Sequence, residues 1–382
     1  DKKYKIAGRN VFYAGIGKCA ISAGRAIEKV LGDALAAGIA FDVSVNNPAD
    51  QQPTASKLET IIGTHPLPSA ANILGAKRII EFLGGKSAND LIIFVISGGG
   101  SALLCSPLAP MTCTDESELF GELTARGATI QEMNVVRKRT SSARGGALAV
   151  AAYPAEIISL IFSDVPDNDI ASVASGPTAP DNSTVADAKS VLVKYGITNS
   201  AVTFIETPKE PKYFERVANV LFLSNRDALS GMRAESARRG YAATIVNDCL
   251  VGEAQEIGRA IAEKLHALPQ KTALLYAGES TVALDENFGK GGRNQEMALA
   301  ALEYLNRGEL ILPFASDGRD NTAHAGAVAD EVTRTRAREK SLSAEEHLRA
   351  HNSYDFFKSS GDALITGYTG SNVSDLVIAL KK

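Results

Sequence analysis

Short apolar, β-branched runs alternate with longer stretches of helical periodicity along almost the whole chain, the pattern of βαβ units and parallel sheets. Residues 11–14, 39–45, 91–96 (LIIFVI) and 156–162 read as strands, 22–37, 70–83 and 183–195 as helices, and 114–153 as a helical stretch. These predict a Rossmann-like, doubly wound sheet that closes near residue 205. Residues 206–216, ETPKEPKYFER, contain prolines and charges without periodicity and predict a linker. Beyond them, 220–223, 243–246, 273–276, 310–314 and 364–366 read as strands, with helices at 226–239, 253–266 and 294–305. The expectation is an α/β protein of two α/β domains, 1–205 and a smaller one at 217–382. The charged run TRTRAREK at 333–340 reads as a solvated helix face.

A length of 382 residues agrees with two or three domains. Hydrophobic residues make up 45% and charged residues 22%, so the bulk of the chain has enough apolar surface to fold. Lys+Arg 40 against Asp+Glu 44 gives a net charge of −4, which argues against a nucleic-acid partner. The longest apolar runs fall far short of the ~20 residues of a membrane helix, so no membrane partner is expected and the protein reads as soluble. Cys19, Cys105, Cys113 and Cys249 are scattered, with no C-x-x-C pair and no histidine at metal-site spacing. The opening DKKYKIAGRN has a basic start but no apolar core or cleavage site, which predicts a cytoplasmic protein. A start on Asp1 leaves room for further residues upstream. The sequence sets no oligomeric state.

Several predicted strands end in glycine clusters that lead into helices, and strand ends are where open α/β sheets bind ligands. The first, Gly15-Ile16-Gly17-Lys18-Cys19-Ala20, matches the dinucleotide fingerprint G-x-G-x-x-A in form. Two features depart from it: Asp42, the acidic residue at the expected spacing, falls inside a strand, and a lysine occupies the turn. An ammonium at a helix N-terminus suits phosphate neutralisation at least as well as hydride chemistry. The second cluster, Ser97-Gly98-Gly99-Gly100-Ser101, could present successive N–H groups and two hydroxyls to an anion at a helix N-terminus. The third, GKGGRNQE at 289–296, opens a helix with Arg293 and Asn294, the guanidinium being suited to clamp a phosphoryl group or a carboxylate.

Acidic turns follow two other strands, at Ser163-Asp164-Val165 and Ser316-Asp317-Gly318. Asp164 and Asp317 could hold Mg²⁺ or accept a hydroxyl proton. Arg137 and Lys138 either bind a substrate carboxylate or form a solvated helix face. His65, in THPLP, is the histidine whose rigid turn could face a cleft. A serine hydrolase lacks support because there is no G-x-S-x-G elbow.

Taken together, AGIGKCA (14–20), GTHPLPS (63–69), ISGGGSALL (96–104), MNVVRKRTSSARGG (133–146), FSDVPDNDIASVASGPT (162–178), GKGGRNQEMAL (289–299), SDGRDNTAHAGA (316–327) and ITGYTGSNVSDL (365–376) resemble the glycerate 2-kinases of the MOFRL type, in family order across nearly the whole chain. The resemblance implies a Rossmann-like first domain, a MOFRL-type second domain and an active site in the cleft between them. It also implies ATP-dependent phosphorylation of D-glycerate at the 2-hydroxyl with Mg²⁺. The residues proposed as catalytic in that family fall on Lys18, Asp164 and Arg293. The 97–101 turn would hold ATP phosphates or the substrate carboxylate. Relatives have also carried the label hydroxypyruvate reductase, so an NAD(P)H-dependent reductase and a kinase for a larger sugar acid stand as alternatives. The chain departs from the family's usual D-G-T-D-G at Arg319 and Asn321, and from G-P-T-G-T-N-V-N-D-L at Tyr368, Ser371 and Ser374.

Overall fold

Six short apolar segments of the first half pair side by side in the computed structural model, which describes residues 4–43, 56–165, 169–198, 201–284 and 288–382. They are β1 (Val11–Ile16), β2 (Leu35–Asp42), β3 (Leu58–Ile62), β4 (Leu91–Ile96), β5 (Glu156–Phe162) and β6 (Val217–Leu223), in the order β3-β2-β1-β4-β5-β6. β1 pairs in parallel with both β2 and β4, so the order reverses between β1 and β4. This is the doubly wound topology, and its switch point lies at the carboxyl ends of those two strands. β1 and β4 are buried almost throughout, as strands covered on both faces must be. The helices are α1 (Ala20–Leu31), α2 (Ala70–Leu83), the single turn α3 (Gly100–Leu103), α4 (Cys113–Ala125), α5 (Ile130–Arg139), α6 (Ala147–Ala152) and α7 (Val185–Lys194).

Two boundaries differ from those read in the sequence, and a third lies where it cannot be compared. α1 stops at Leu31 rather than 37, because Gly32 takes a left-handed φ of 52° and the following apolar residues become β2. The end of the strand expected through Val45 lies outside the described residues. The stretch 114–153 is three helices, interrupted where Gly127 (φ 77°), Gly145 (φ 56°) and Gly146 (φ 89°) turn the chain.

The domain division also moves. The chain separates into 1–163 with 168–222, and 164–167 with 223–382, so the break falls after Phe222. Residues 206–216, expected as a linker, belong to the first unit because their polar groups bond inward. Thr207 Oγ1 donates to Asp181 Oδ2 (3.1 Å), Lys209 Nζ to Asp181 O (2.6 Å) and Arg216 Nη1 to Pro154 O (3.0 Å). The strand that follows them, β6, is the edge of the first sheet.

The second unit holds a mixed sheet of β7 (Ala242–Leu250), β8 (Thr272–Gly278), β9 (Glu309–Ala315), β10 (Gly326–Ala327), β11 (Ala329–Asp330), β12 (Ala363–Leu364) and β13 (Asp375–Lys381). β13 was not anticipated, yet it runs antiparallel between β8 and β9 at the centre. Around the sheet lie α8 (Asn225–Arg238), α9 (Ala254–His266), α10 (Arg293–Leu302), α11 (Glu331–Glu339), α12 (Ala344–Arg349) and α13 (Ser353–Ser360). The charged run 333–340 forms most of α11. α10 is buried at every residue from Asn294 to Leu302, so its polar first turn must find partners inside the protein. No helix among the described residues is long and apolar enough to cross a membrane.

Candidate active site

At the switch point of the first unit, the turn between β1 and α1 lies against the turn after β4. Lys18 N donates to Gly98 O (3.0 Å), Cys19 N to Ser97 Oγ (3.3 Å) and Ser97 N to Ile16 O (2.9 Å). Gly17 has φ 112°, and a Cβ there would run into Ser97. The glycine that a dinucleotide fingerprint reserves for close pyrophosphate approach is therefore needed for contact with the neighbouring turn. Asp42 ends β2, is buried, and accepts from Ile21 N (3.0 Å) and Val43 N (2.7 Å). Its carboxylate caps α1 instead of reaching for a ribose.

The expectation that residues 97–101 form an anion nest is corrected in part. Ser97 is buried and its hydroxyl serves the Lys18 turn, Gly98 contributes its carbonyl to the same turn, and Gly100 N closes onto Ser97 O (3.3 Å). α3 is only one turn long. Gly99, with φ 84°, is where the turns meet side chains: a Cβ there would lie 3.4 Å from Lys18 Cγ, His65 Cδ2 and Val43 Cγ1 alike.

Gly99 also opens onto a cavity of about 560 Å³ lined by His65, Ser101, Glu116, Phe120, Arg137 and Arg144, among others. The half-buried Arg137 stacks its guanidinium 4.7 Å from the Phe120 ring centre. Burial pushes the Arg137 pKa down to about 10; the nearby Arg144 charge adds to the shift and Glu116 opposes it. Among the described residues no carboxylate lies within ion-pair distance of it. Arg144, to which the sequence assigned no role, is the brace. It pairs with buried Glu116 (2.6 Å), and donates to Ser101 O (3.1 Å from Nε) and to Arg137 O (3.2 Å). Lys138, one residue on, faces elsewhere. It is buried against Asp181 (3.4 Å) and lines a separate cavity of about 310 Å³, so the structure does not bring it together with Arg137.

In the second unit the buried donors in the first turn of α10 converge on one carboxylate, while Asn294 Oδ1 has no hydrogen-bond partner among the described residues. The Asp320 carboxylate accepts from Asn294 N (3.1 Å), Gln295 N (2.9 Å), Asn294 Nδ2 (3.2 Å) and Gln295 Nε2 (3.1 Å). Burial raises the Asp320 pKa, and these backbone bonds oppose the rise. Gln295 Oε1 meets His324 Nδ1 (2.9 Å), and Glu296 meets His351 Nδ1 (2.9 Å) and Gln255 Nε2 (2.8 Å). The expectation that Asn294 binds phosphate, nucleotide or substrate changes with this. The N–H groups at the head of α10 already hold an internal anion, and Asn294, with no exposed surface, is a structural residue.

Arg293, by contrast, projects from the helix start. It pairs with Asp375 (Nε 2.5 Å, Nη2 3.3 Å) at the head of β13 and with Glu279 (2.5 Å), and it lines a cavity of about 480 Å³ with Lys290 and Ser280. Burial works to lower the Arg293 pKa, but Asp375 and Glu279 outweigh it and the net shift is upward. Asp375 is pushed up to about 6 by burial, against the opposing charge of Arg293.

Asp164 and Asp317 belong to the second unit, anchored to one loop. Asn372 Nδ2 donates to Asp164 Oδ2 (3.0 Å), and Thr369 N to Asp317 O (3.1 Å). Asp317 also accepts from Arg319 N (2.9 Å), one of the positions where the chain departs from the family pattern. Among the described residues no group of three or more His, Cys, Asp or Glu is placed to hold a metal ion.

Comparisons with known proteins show what this chain is similar to. The family model described as a domain of unknown function, DUF4147, matches residues 1–206, and the MOFRL family matches 272–375. A glycerate 2-kinase of Pyrococcus horikoshii is 35% identical, the match covering 99% of this chain and 89% of that protein. A protein of Agrobacterium vitis with a provisional hydroxypyruvate reductase name is 37% identical over 84% of this chain and 77% of its own length. The crystal structure of a glycerate kinase from Thermotoga maritima superposes with a TM-score of 0.86 at 33% identity, covering 99% of this chain and 92% of that one.

Proposed function

The chain belongs to the glycerate kinase family of the MOFRL type, and from that premise we propose that it transfers the γ-phosphoryl group of ATP to the 2-hydroxyl of D-glycerate, giving 2-phosphoglycerate and ADP. The observation that carries the reading is the meeting of Lys18 with the Arg137 cavity at Gly99. The Lys18 stem lies beside Gly99, which lines a cavity whose Arg137 has no carboxylate partner among the described residues, and this suits a small acid that is to receive a phosphoryl group.

In this reading Arg137 holds the carboxylate through its planar fork. The 2-hydroxyl sits on the adjacent carbon. As its oxygen forms a bond to the γ-phosphorus, the bond from that phosphorus to the bridging oxygen of ADP breaks, and Asp164 takes the hydroxyl proton. Lys18 and Arg293 neutralise charge on the migrating group, the main demand of phosphoryl transfer. Arg293 would exchange its exposed partner Glu279 for a phosphate oxygen while Asp375 keeps hold of its other edge. Asp317 is a hard oxygen donor that fits Mg²⁺, as would Asp164 if it held the metal instead of taking the proton; the ion takes one or two carboxylates along with phosphate oxygens and water. When bound, it would neutralise charge on the phosphates. The helix heads have no part in this scheme, because Asp42 and Asp320 occupy them.

A kinase for a larger sugar acid is the second reading, favoured by the cavity's volume of about 560 Å³. The test offers D-glycerate and acids of four to six carbons with ATP and Mg²⁺. ADP release with glycerate, loss of activity with EDTA, and product detection by enolase without a mutase are expected. Oxidation of NAD(P)H with hydroxypyruvate at enzymatic rates, and no ADP with any sugar acid, would overturn the kinase reading. ADP appearing only with a longer acid would leave the second reading in its place.

A further inference from the structure

Ser101, in the cavity with Arg137, is the head of a chain of hydrogen bonds that ends inside the protein. Its Oγ lies 2.9 Å from Ser175 Oγ, and Ser175 donates to Asn134 Oδ1 (3.2 Å). An amide oxygen can only accept. Ser175 must therefore give its proton to Asn134 and receive one from Ser101, which leaves Ser101 Oγ facing the cavity as an acceptor. The chain cannot take up a proton, since it terminates on an amide, so Ser101 is neither a general base nor an activated nucleophile.

The arrangement is held at a conformational cost. Ala174 (φ 51°), Ser175 (φ 60°) and Gly176 (φ 60°) are left-handed in succession, a run that persists only where the surroundings over-determine it and that gathers at functional sites. Gly145 N and Gly146 N fasten it by bonds to Ser175 O (2.9 Å) and Gly176 O (2.8 Å). Asn134 and Arg137 are one helical turn apart on α5 and so share a face. Arg144 donates to the carbonyls of both Ser101 and Arg137, which ties the acceptor and the cation to one buried guanidinium.

We propose that Ser101 reads the non-reacting 3-hydroxyl of the sugar acid, as an acceptor oriented by the positioning residues Ser175 and Asn134. The proposal rests on the kinase reading above, in which the proton of the 2-hydroxyl is taken by Asp164, so that the 3-hydroxyl is the donor remaining for Ser101. An acid without that hydroxyl would leave a desolvated acceptor unpaired, and sites built to bond a hydroxyl reject such analogues by about 10⁴ or more.

The experiment compares kcat/KM for D-glycerate and D-lactate, the same acid without the 3-hydroxyl, in the wild type, Ser101→Ala and Ser175→Ala. The wild type is expected to prefer glycerate by about 10⁴. Ser101→Ala should lower that preference at least 100-fold, as kcat/KM falls for D-glycerate and rises for D-lactate, which no longer leaves an acceptor unpaired. Ser175→Ala should lower it in part, because Ser101 can then turn its own proton towards the substrate. A preference unchanged in both variants, or glycerate and lactate activity falling together, overturns the proposal. If Ser101→Ala does not fold, Ser175→Ala alone decides by the same ratio. No ADP from wild-type enzyme with any sugar acid would be a failure of the kinase reading, recognisable because it precedes any variant. If only a longer acid is a substrate, that acid and its 3-deoxy analogue form the pair.

Discussion

Replacing Asp320 by alanine should destabilise the second unit strongly. The carboxylate receives four hydrogen bonds from the first turn of α10, two from backbone N–H groups and two from side-chain amides. Alanine leaves three of these donors unpaired at Asn294 and Gln295, which have no access to water, while Gln295 Nε2 keeps Thr322 Oγ1 (3.1 Å). Loss of an N-cap costs about 0.5–2 kcal/mol, and each buried group left unpaired costs about 1–3 kcal/mol. Burial raises the Asp320 pKa, so part of that gain is already offset by desolvation of the charge. A net loss of roughly 4 kcal/mol follows once partial relaxation is allowed. In a unit of this size that lowers Tm by about 8–16 °C. Thermal unfolding followed by circular dichroism reads the shift, and Asp320→Asn, which retains one acceptor oxygen, should lose about half as much. A loss below about 1 kcal/mol, comparable with an ordinary surface substitution, would refute the internal-anion account. So would tighter binding of inorganic phosphate to the wild type than to Asp320→Ala, since only the variant presents an open helix head.

Other outcomes are expected of the proposed chemistry. Lys18→Ala and Arg293→Ala should each lower kcat by about 10²–10³, and near-normal turnover in either would remove that residue from the mechanism. Arg137→Ala should raise KM for the acid about 10- to 100-fold with a smaller change in kcat, and Arg137→Lys should recover only part of it because the bidentate fork is lost. Asp375, titrating near 6, should give kcat/KM an acid limb, because its protonation loosens the hold on Arg293; Asp375→Asn should abolish the limb. Stability runs the other way for that group. Its folded pKa is raised from 3.8, so its contribution is complete below about pH 4 and lost as pH climbs through 6, measurable as a pH-dependent Tm difference between wild type and Asp375→Asn.

The first sheet was legible because its strands are apolar on both faces and end in glycine turns, a local signal. β13 was not, since nothing in DLVIALK marks it as the centre of a sheet; its place is set by pairing with β8 and β9 from far along the chain. The 206–216 segment looked like a linker because it is charged and contains prolines. Its charges meet partners at residues such as Asp181 and Pro154, distances in sequence that composition does not reveal. Among the site residues, Lys18, Arg137 and Arg293 reach cavities or the switch point. Lys138 and Asn294 carry similar chemistry in the sequence and are buried in structural networks. Arg144, Ser175 and Asn134 drew no attention because a brace has no signature apart from its burial.

One physical requirement explains where the glycine turns misled. The first-turn N–H groups of a helix that begins inside a protein must be satisfied whether or not a ligand is bound. In α1 and α10 the protein supplies its own anion, Asp42 from the end of β2 and Asp320 from the loop after β9. A helix head capped in this way is stable without ligand, and it repels a phosphate instead of cradling it. Positive charge for a phosphoryl group must then come from side chains that extend beyond the cap. Lys18 and Arg293 are the residues placed to do so, each at the start of one of these helices, with the cap itself fixing the turn that carries it. Phosphate neutralisation in such a scheme depends on long cationic side chains and hardly at all on the glycines. Substituting Lys18 or Arg293 should therefore impair turnover while leaving the capped helices intact.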